Sequence, residues 1–293
     1  MKFIKYLFIF FLSIALSANA QKKNPENTLL WEISGKDLTE PSYLFGTYHF
    51  ADKGFVDTME VVNEKLAAAD VIVGELIIDK DLAIKLMPFM MMKGNTLDQL
   101  LSPKEYQLVD DYLKKLGNFN LKMFNTFTPM AVQTLILQLT APKTFTETNP
   151  AIDQYFQDYG KANQKEIIGL ETVEEQGEIL FGSSIERQKE MLIKYVKQEK
   201  KNQAASEKLY KDYITQNLKA TAKTFAKLDD FTPGETDRLL KNRNVIWMDK
   251  LPPLMQNKSL FIAVGAGHLV GNNGLIIGLR ARGYTVKPVA TNF

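Results

Sequence analysis

The chain contains two histidines, and each one closes the same short motif. Residues 46–49 read GTYH and residues 265–268 read GAGH, so a glycine stands three positions before each histidine. Each motif follows a short apolar run that is typical of a buried strand. The glycine leaves room for a tight turn and a close backbone approach, which helps to aim an imidazole across the end of a strand. We therefore interpret His49 and His268 as functional residues rather than as two unrelated core or surface histidines.

Two glutamates occupy similar places. Glu75 directly follows the apolar run 71–74, and Glu171 follows the run 166–170. Ligands of open α/β sheets bind at the carboxyl ends of the strands, so both glutamates are expected beside the histidines. Glu171 also directly precedes Thr172, a predicted helix cap, and could serve that helix instead. Glu75 has no such local role.

Two imidazoles with one or two carboxylates favour a divalent ion of borderline hardness, namely Zn²⁺, Mn²⁺ or Co²⁺. Such an ion lowers the pKa of bound water to ~7 and polarises a carbonyl group. We expect His49, His268 and Glu75 to hold the ion, with Glu171 in the same cleft as a base or an orienting group. A metal-free alternative uses a histidine as the base and a glutamate to orient it.

Other catalytic patterns are missing from the sequence. The chain has no HExxH helix, so the usual zincin layout is absent. It also has no Gly-x-Ser-x-Gly motif of a serine nucleophile. Because it has no cysteine, cysteine catalysis and a disulfide scaffold are both excluded.

Short strands between capped helices are expected to position the candidate residues. Apolar runs predict strands at 30–33, 43–48, 71–74, 166–170, 259–264 and 284–289. Capping residues predict helix starts at Asp57, Ser102, Thr128, Thr172, Ser183 and Thr232. The stretch from 185 to 228 has one apolar stripe and predicts an outer helical hairpin. Strands that alternate with helices predict an α/β fold with a mixed or largely parallel sheet.

The start of the chain has the features of a cleaved signal peptide over residues 1–20. A positively charged start precedes an apolar stretch over 6–16 and a small-x-small site at 18–20. A transmembrane helix needs ~20 apolar residues, so an uncleaved anchor is the weaker interpretation. We expect cleavage after Ala20, one α/β domain over 21–293, and a periplasmic or secreted location in a bacterium.

Composition and charge limit the classes of function. The chain has 45% hydrophobic and 24% charged residues, which is typical of a globular protein and excludes a disordered one. Lys and Arg number 36 against 34 Asp and Glu, and removal of Lys2 and Lys5 with the leader leaves 34 − 34 = 0. A neutral chain gives no electrostatic case for nucleic acid or for an anionic membrane surface as a partner.

Five motifs together resemble the TraB/GumN family, over a stretch from about residue 30 to residue 289. These motifs are GTYH at 46–49, VGEL at 73–76, IIGLETVEEQ at 167–176, RN at 243–244 and AVGAGHLVGNNGLIIGLRARGYTV at 263–286. The family includes the Tiki proteins, described as metal-dependent proteases with two GxxH motifs and a key glutamate. Some bacterial relatives are instead linked to the control of peptide signals.

The resemblance implies a metallopeptidase-like site. His49 and His268 match the two GxxH histidines, and Glu75 best matches the key glutamate. Glu171 and Arg243 match further recurrent positions and are candidate catalytic residues, together with Glu75.

Two functions remain open at this point. The first is an exported metal-dependent, peptidase-like hydrolase that acts on a peptide or a related carbonyl substrate. The second is a non-catalytic periplasmic protein that binds or sequesters a peptide signal. Both histidines and Glu75 are present, which favours the enzyme, whereas a metal content of zero would favour the binding protein.

The expected partner is a peptide or small-molecule substrate, with no membrane span after cleavage. Asp153 is expected on a helix face near the site.

Overall fold

A computed structural model describes residues 27–142, 145–225 and 231–291. Within these residues the strands are β1 Leu30–Ser34, β2 Ser42–Thr47, β3 Val71–Gly74, β4 Glu166–Gly169, β5 Leu260–Gly265 and β6 Thr285–Val289. They form one sheet in the order β4-β3-β5-β2-β1-β6. β4, β3, β5 and β2 are parallel, whereas β1 runs antiparallel to both β2 and β6. The predicted α/β fold with a mixed, largely parallel sheet is confirmed.

Helices flank this sheet and make up most of the connections. Their bounds are α1 Lys53–Asp57, α2 Glu60–Ala68, α3 Leu82–Met90, α4 Leu97–Leu100, α5 Pro103–Leu116, α6 Pro129–Thr140, α7 Ile152–Ala162, α8 Val173–Phe181, α9 Ile185–Lys197, α10 Glu199–Ile214, α11 Leu218–Phe225, α12 Pro233–Thr236, α13 Asn242–Met255 and α14 Leu275–Ala281. A π-helical turn at Asp237–Lys241 joins α12 to α13, and a 3₁₀ turn at Ala266–His268 follows β5. In the described part of the chain, no helix is both long and apolar enough to span a membrane.

The central strands are buried on both faces. Every residue of β2 and β3 is buried, as are the first five of β5. Successive side chains of a strand point to opposite faces, so both faces of this part of the sheet are covered. On one of them Phe156 of α7 packs against Phe45 and Phe261, with ring centroids 5.3 and 4.9 Å away. This double burial explains why the strands appear in the sequence as continuous apolar runs.

Most predicted helix starts are confirmed. Full capping boxes begin at Ser102, Thr172 and Thr232, and a single side-chain cap at Thr128. The start predicted at Ser183 falls one residue later, because Ser184 caps α9. The predicted start at Asp57 is wrong, because Asp57 ends α1 and bonds back to Lys53 at 2.5 Å. α1 is instead capped by Asp52, and α2 begins after Met59 without a side-chain cap.

A second hydrophobic cluster lies among α4, α5, α6 and α9. It includes Leu113 of α5, Ile136 of α6 and Leu192 of α9, all fully buried. One face of α9 is therefore an inner surface, while α10 packs against α11. The predicted outer hairpin over about 185–228 stays a prediction, because residues 226–230 lie outside the described part. The predicted signal peptide, residues 1–20, also lies outside it.

Candidate functional site

The four parallel strands end at one edge of the sheet, and the residues singled out from the sequence follow them there. Glu75 comes directly after β3, His49 two residues after β2, Glu171 two residues after β4, and His268 in the 3₁₀ turn after β5. Glu75, Glu171 and His268 all contact Arg243, which enters from the first turn of α13. Residues that are far apart in the sequence thus share one contact cluster because parallel strands end together.

The glycine of each GxxH motif provides space at this edge. A Cβ on Gly46 would lie 3.1 Å from the Cα of Ala266, inside the second motif. A Cβ on Gly265 would lie 3.2 Å from Oε1 of Glu75, and the Gly265 N–H donates to that same oxygen at 2.7 Å. The two motifs therefore pack against each other and against Glu75, which explains why each one needs its glycine.

Arg243 is the central residue of the cluster, and each of its five N–H groups has an acceptor. Nε donates to Oε1 of Glu171 at 2.6 Å, and Nη2 donates to Oε2 of Glu171 at 2.8 Å and to Oε2 of Glu75 at 2.6 Å. Nη1 donates to the Leu239 carbonyl at 3.1 Å and to Nε2 of His268 at 3.0 Å. The exposed fraction of the Arg243 side chain is 8%. Such a buried, fully paired fork fixes both carboxylates relative to the histidine.

The charges of the cluster do not balance. Glu75 and Glu171 bring two negative charges, and Arg243 brings one positive charge. Burial opposes ionisation of Glu75, but His268, Arg243, His49 and the Gly265 N–H outweigh it and lower its pKa to about 2. The buried cluster therefore has one net negative charge, which a further cation would offset.

His268 has a defined tautomer. Nδ2 of Asn244 donates to the carbonyls of His268 and Asn273, so the Asn244 amide oxygen faces Nδ1 of His268 at 2.7 Å. Nδ1 must then carry the proton and donate it, which leaves the lone pair on Nε2. Burial lowers the pKa of His268 to about 4, so the ring is neutral at neutral pH. Trp247 packs on this ring at a centroid distance of 4.3 Å.

His49 occupies the opposite kind of environment. Its side chain is 69% exposed, and its Nδ1 contacts Oδ2 of Asp153 at 3.0 Å. A carboxylate only accepts, so Nδ1 is the donor here as well. Asp153 raises the pKa of His49 to about 9. In both histidines Nδ1 is thus bonded to an oxygen, so Nε2 is the ring nitrogen that an ion would need, and in His268 this atom accepts from Nη1 of Arg243.

A partly open cavity lies beside the cluster. Its polar lining residues are His49, Glu75, Asp153, Gln157 and Gln176. Its apolar lining includes Leu76, Ile78, Leu82 and Phe156. His268 is buried and is not among the lining residues, but its Nε2 lies 3.8 Å from Oε1 of Glu75. Glu75 therefore connects the buried part of the site to the cavity.

The structure brings most of the predicted residues together, with one change of partner. Glu171 contacts Arg243, Gln176 and the indole N–H of Trp247, rather than orienting a histidine. Sequence reasoning missed Trp247 and Gln176 as site residues. Trp247 stands four positions after Arg243 on a predicted helix, so helical spacing was the available signal.

The candidate ligands, two imidazoles and a carboxylate, are groups that bind divalent ions. A metal-binding histidine commonly donates its other ring N–H to an oxygen acceptor, as His49 does to Asp153 and His268 to Asn244. In the described ranges, no three His, Asp or Glu side chains are already arranged around a common point that could hold an ion. Nε2 of His268 and Oε2 of Glu75 both accept from the Arg243 guanidinium.

The fold and the site define an α/β protein with a His–Glu–Arg cluster at the carboxyl edge of its parallel strands. The sequence profile of the TraB/PrgY/gumN family matches residues 29–288. The chain belongs to this family, as its GxxH motifs predict. Among curated proteins, none shows significant similarity to the chain.

Proposed function

We propose that the chain is an exported metal-dependent hydrolase of the peptidase type, with His49, His268 and Glu75 as the residues that hold a divalent ion. The observation that carries this proposal is the hydrogen bond from Nδ1 to an oxygen that both imidazoles make. Each one gives its Nδ1–H to an oxygen acceptor, which leaves Nε2 as the atom for an ion, and Glu75 connects the two environments.

Each residue of the site has a definite task in this proposal. When bound, the ion supplies a polarised carbonyl and an activated water. Asp153 and Asn244 hold the two rings in position, while Arg243 and the Gly265 N–H hold the two oxygens of Glu75. The apolar wall of the cavity excludes water from the substrate, which strengthens the electrostatic interactions at the polar wall.

A second candidate function is a protein that binds or sequesters a peptide without turnover. The observation in its favour is the complete pairing of Arg243, which leaves the buried cluster hydrogen-bonded without any ligand. The apolar cavity would then bind the ligand, and Glu75 and His49 would supply polar contacts.

Metal content and hydrolysis, measured on the same preparations, distinguish the two functions. The chain is purified without chelator, analysed for Zn, Mn and Co, and assayed on a mixture of fluorogenic peptides. We expect about one metal ion per chain, a loss of that ion in His49→Ala and His268→Ala, and a fall in turnover of more than ~100-fold in both variants.

Glu75→Gln tests the carboxylate, and Glu166→Gln is its matched control. Glu166 begins β4, is half exposed and pairs with Lys258, so its change should leave metal content and turnover as they are. Absence of metal and of turnover, together with saturable binding of a peptide from the mixture, would favour the binding protein.

A further inference from the structure

We infer that Arg243 and a divalent ion compete for Nε2 of His268. The guanidinium then prevents the ion from binding until Nη1 of Arg243 moves away from the imidazole. The inference rests on the proposed function, because it concerns the same three candidate ligands. It adds a residue that controls whether the ion binds.

The competition follows from the single lone pair of a neutral imidazole. Asn244 fixes the proton of His268 on Nδ1, since its own amide N–H groups are directed at two backbone carbonyls. Only Nε2 can then accept a hydrogen bond or bind an ion. The 3.0 Å bond from Nη1 of Arg243 already uses that atom.

Arg243 restrains the second candidate ligand as well. Nη2 donates to Oε2 of Glu75, while Oε1 of Glu75 accepts from the Gly265 N–H. A guanidinium cannot lose its proton in a protein, so its positive charge repels a divalent ion as long as it stays in this position. Both buried ligands are therefore restrained by one cation.

The same geometry lets Arg243 release His268 while it stays paired with Glu171. Glu171 holds the guanidinium by two parallel bonds, from Nε and from Nη2, and the Leu239 carbonyl holds Nη1. The guanidinium is planar and rigid, so a movement that takes Nη1 away from Nε2 also gives up the contacts with Leu239 and Glu75, whereas the pair with Glu171 can remain. Glu171 thus holds Arg243 after its Nη1 has left His268. The net negative charge of the cluster favours the binding of a cation in its place.

The decisive variant is Arg243→Lys. Lysine keeps the positive charge beside Glu171 but lacks the fork that reaches Glu75, Glu171 and His268 at once. Chelator-treated full chain is titrated with Zn²⁺ by calorimetry, and the two histidine rings are followed by ¹H–¹⁵N spectra. Since the chain contains only two histidines, each ring gives its own signals.

We expect Arg243→Lys to bind Zn²⁺ about tenfold more tightly than wild type, with the Nε2 signal of His268 shifting at lower Zn²⁺ concentration. Arg238→Lys is the matched control, because Arg238 lies on the preceding π-helical turn and bonds to Ser183. Its Zn²⁺ affinity should equal that of wild type. Circular dichroism reports whether each variant folds.

Glu171→Gln keeps the test valid if Arg243→Lys does not fold. This variant removes the anchor of Arg243 and brings the net charge of the cluster to zero, so its Zn²⁺ affinity should fall below that of wild type. Equal Zn²⁺ affinity in wild type, Arg243→Lys and Glu171→Gln would overturn the competition and leave the proposed metal site intact. Absence of Zn²⁺ binding in every protein would overturn the metal site, and the competition with it.

Discussion

The two histidines differ in the oxygen that holds Nδ1, and this difference sets their charge. For His49 the acceptor is the carboxylate of Asp153, and the pKa of His49 rises to about 9. For His268 the acceptor is the neutral amide of Asn244, and burial lowers the pKa of His268 to about 4. At neutral pH one ring is therefore protonated and the other neutral, so an ion that binds both rings must displace a proton from His49.

Asp153→Asn tests the charge of His49 directly. The pKa of His49 should fall from about 9 toward its ordinary value of 6.5, because an amide cannot stabilise the imidazolium as a carboxylate does. In the wild type, the raised pKa of His49 contributes to the free energy of unfolding. This contribution is fully present below pH 6.5 and is lost as the pH rises through about 9. Titration of the chelator-treated protein, followed by ¹H–¹⁵N spectra, measures the shift.

Asp158→Asn is the matched control for this substitution. Asp158 lies on the same helix, is half exposed and faces Lys161, so the pKa of His49 should not change. A His49 pKa that stays near 9 in Asp153→Asn would show that another group holds the proton on the ring.

At the level of single residues, a functional role was easiest to predict where the residue type is rare in the sequence. His49 and His268 were identified because the chain has only two histidines in one repeated motif, and Glu75 because nothing local explained it. The partners that orient them were harder to identify. Asn244, Gln176 and Trp247 are ordinary helix residues, whose roles depend on which side chains the strand ends bring near them. Local spacing placed Trp247 on the same helix as Arg243, but it did not show which strand-end residues either of them contacts.

At the level of elements, the close packing of the two GxxH segments depends on Gly46. Gly46→Ala should destabilise the fold by about 1–3 kcal/mol, because the new Cβ would lie 3.1 Å from the Cα of Ala266, a backbone atom that cannot turn aside. Gly234→Ala is the matched control, since a Cβ there meets nothing within 4 Å, and alanine favours the helix. Denaturant unfolding of both variants measures the difference. A loss below about 0.5 kcal/mol in Gly46→Ala would mean that the two segments separate easily.

The elements themselves were predicted well where their signals were local. The strands that carry the site begin and end within one residue of their predicted bounds. In β2, β3 and β5 this is because burial on both faces gives continuous apolar runs, whereas the edge strand β4 is partly exposed and has a shorter apolar run. Capping residues gave the starts of α5, α6, α8, α9 and α12 for a similar reason. The π-helical turn before Arg243 was not predicted, since an extra residue in a helical turn leaves no pattern in composition or spacing.

For the molecule as a whole, we propose export with removal of residues 1–20. The small-x-small site at 18–20 should direct cleavage after Ala20, which makes Gln21 the first residue of the exported protein. Mass spectrometry of the periplasmic fraction measures the mass of the product. An exported chain that keeps Met1 would contradict cleavage and would make this segment an anchor.

The position of β5 in the sheet has a consequence for a chain that is still being made. β5 lies between β3 and β2, yet it is synthesised about 190 residues after β3. Until residue 265 has emerged, β2 and β3 each have an edge without their common neighbour, and such edges invite pairing with other chains. His268 and the N–H of Gly265 arrive with the same strand. The nascent chain therefore has these unpaired strand edges for as long as its candidate site is incomplete, and the synthesis of β5 ends both conditions.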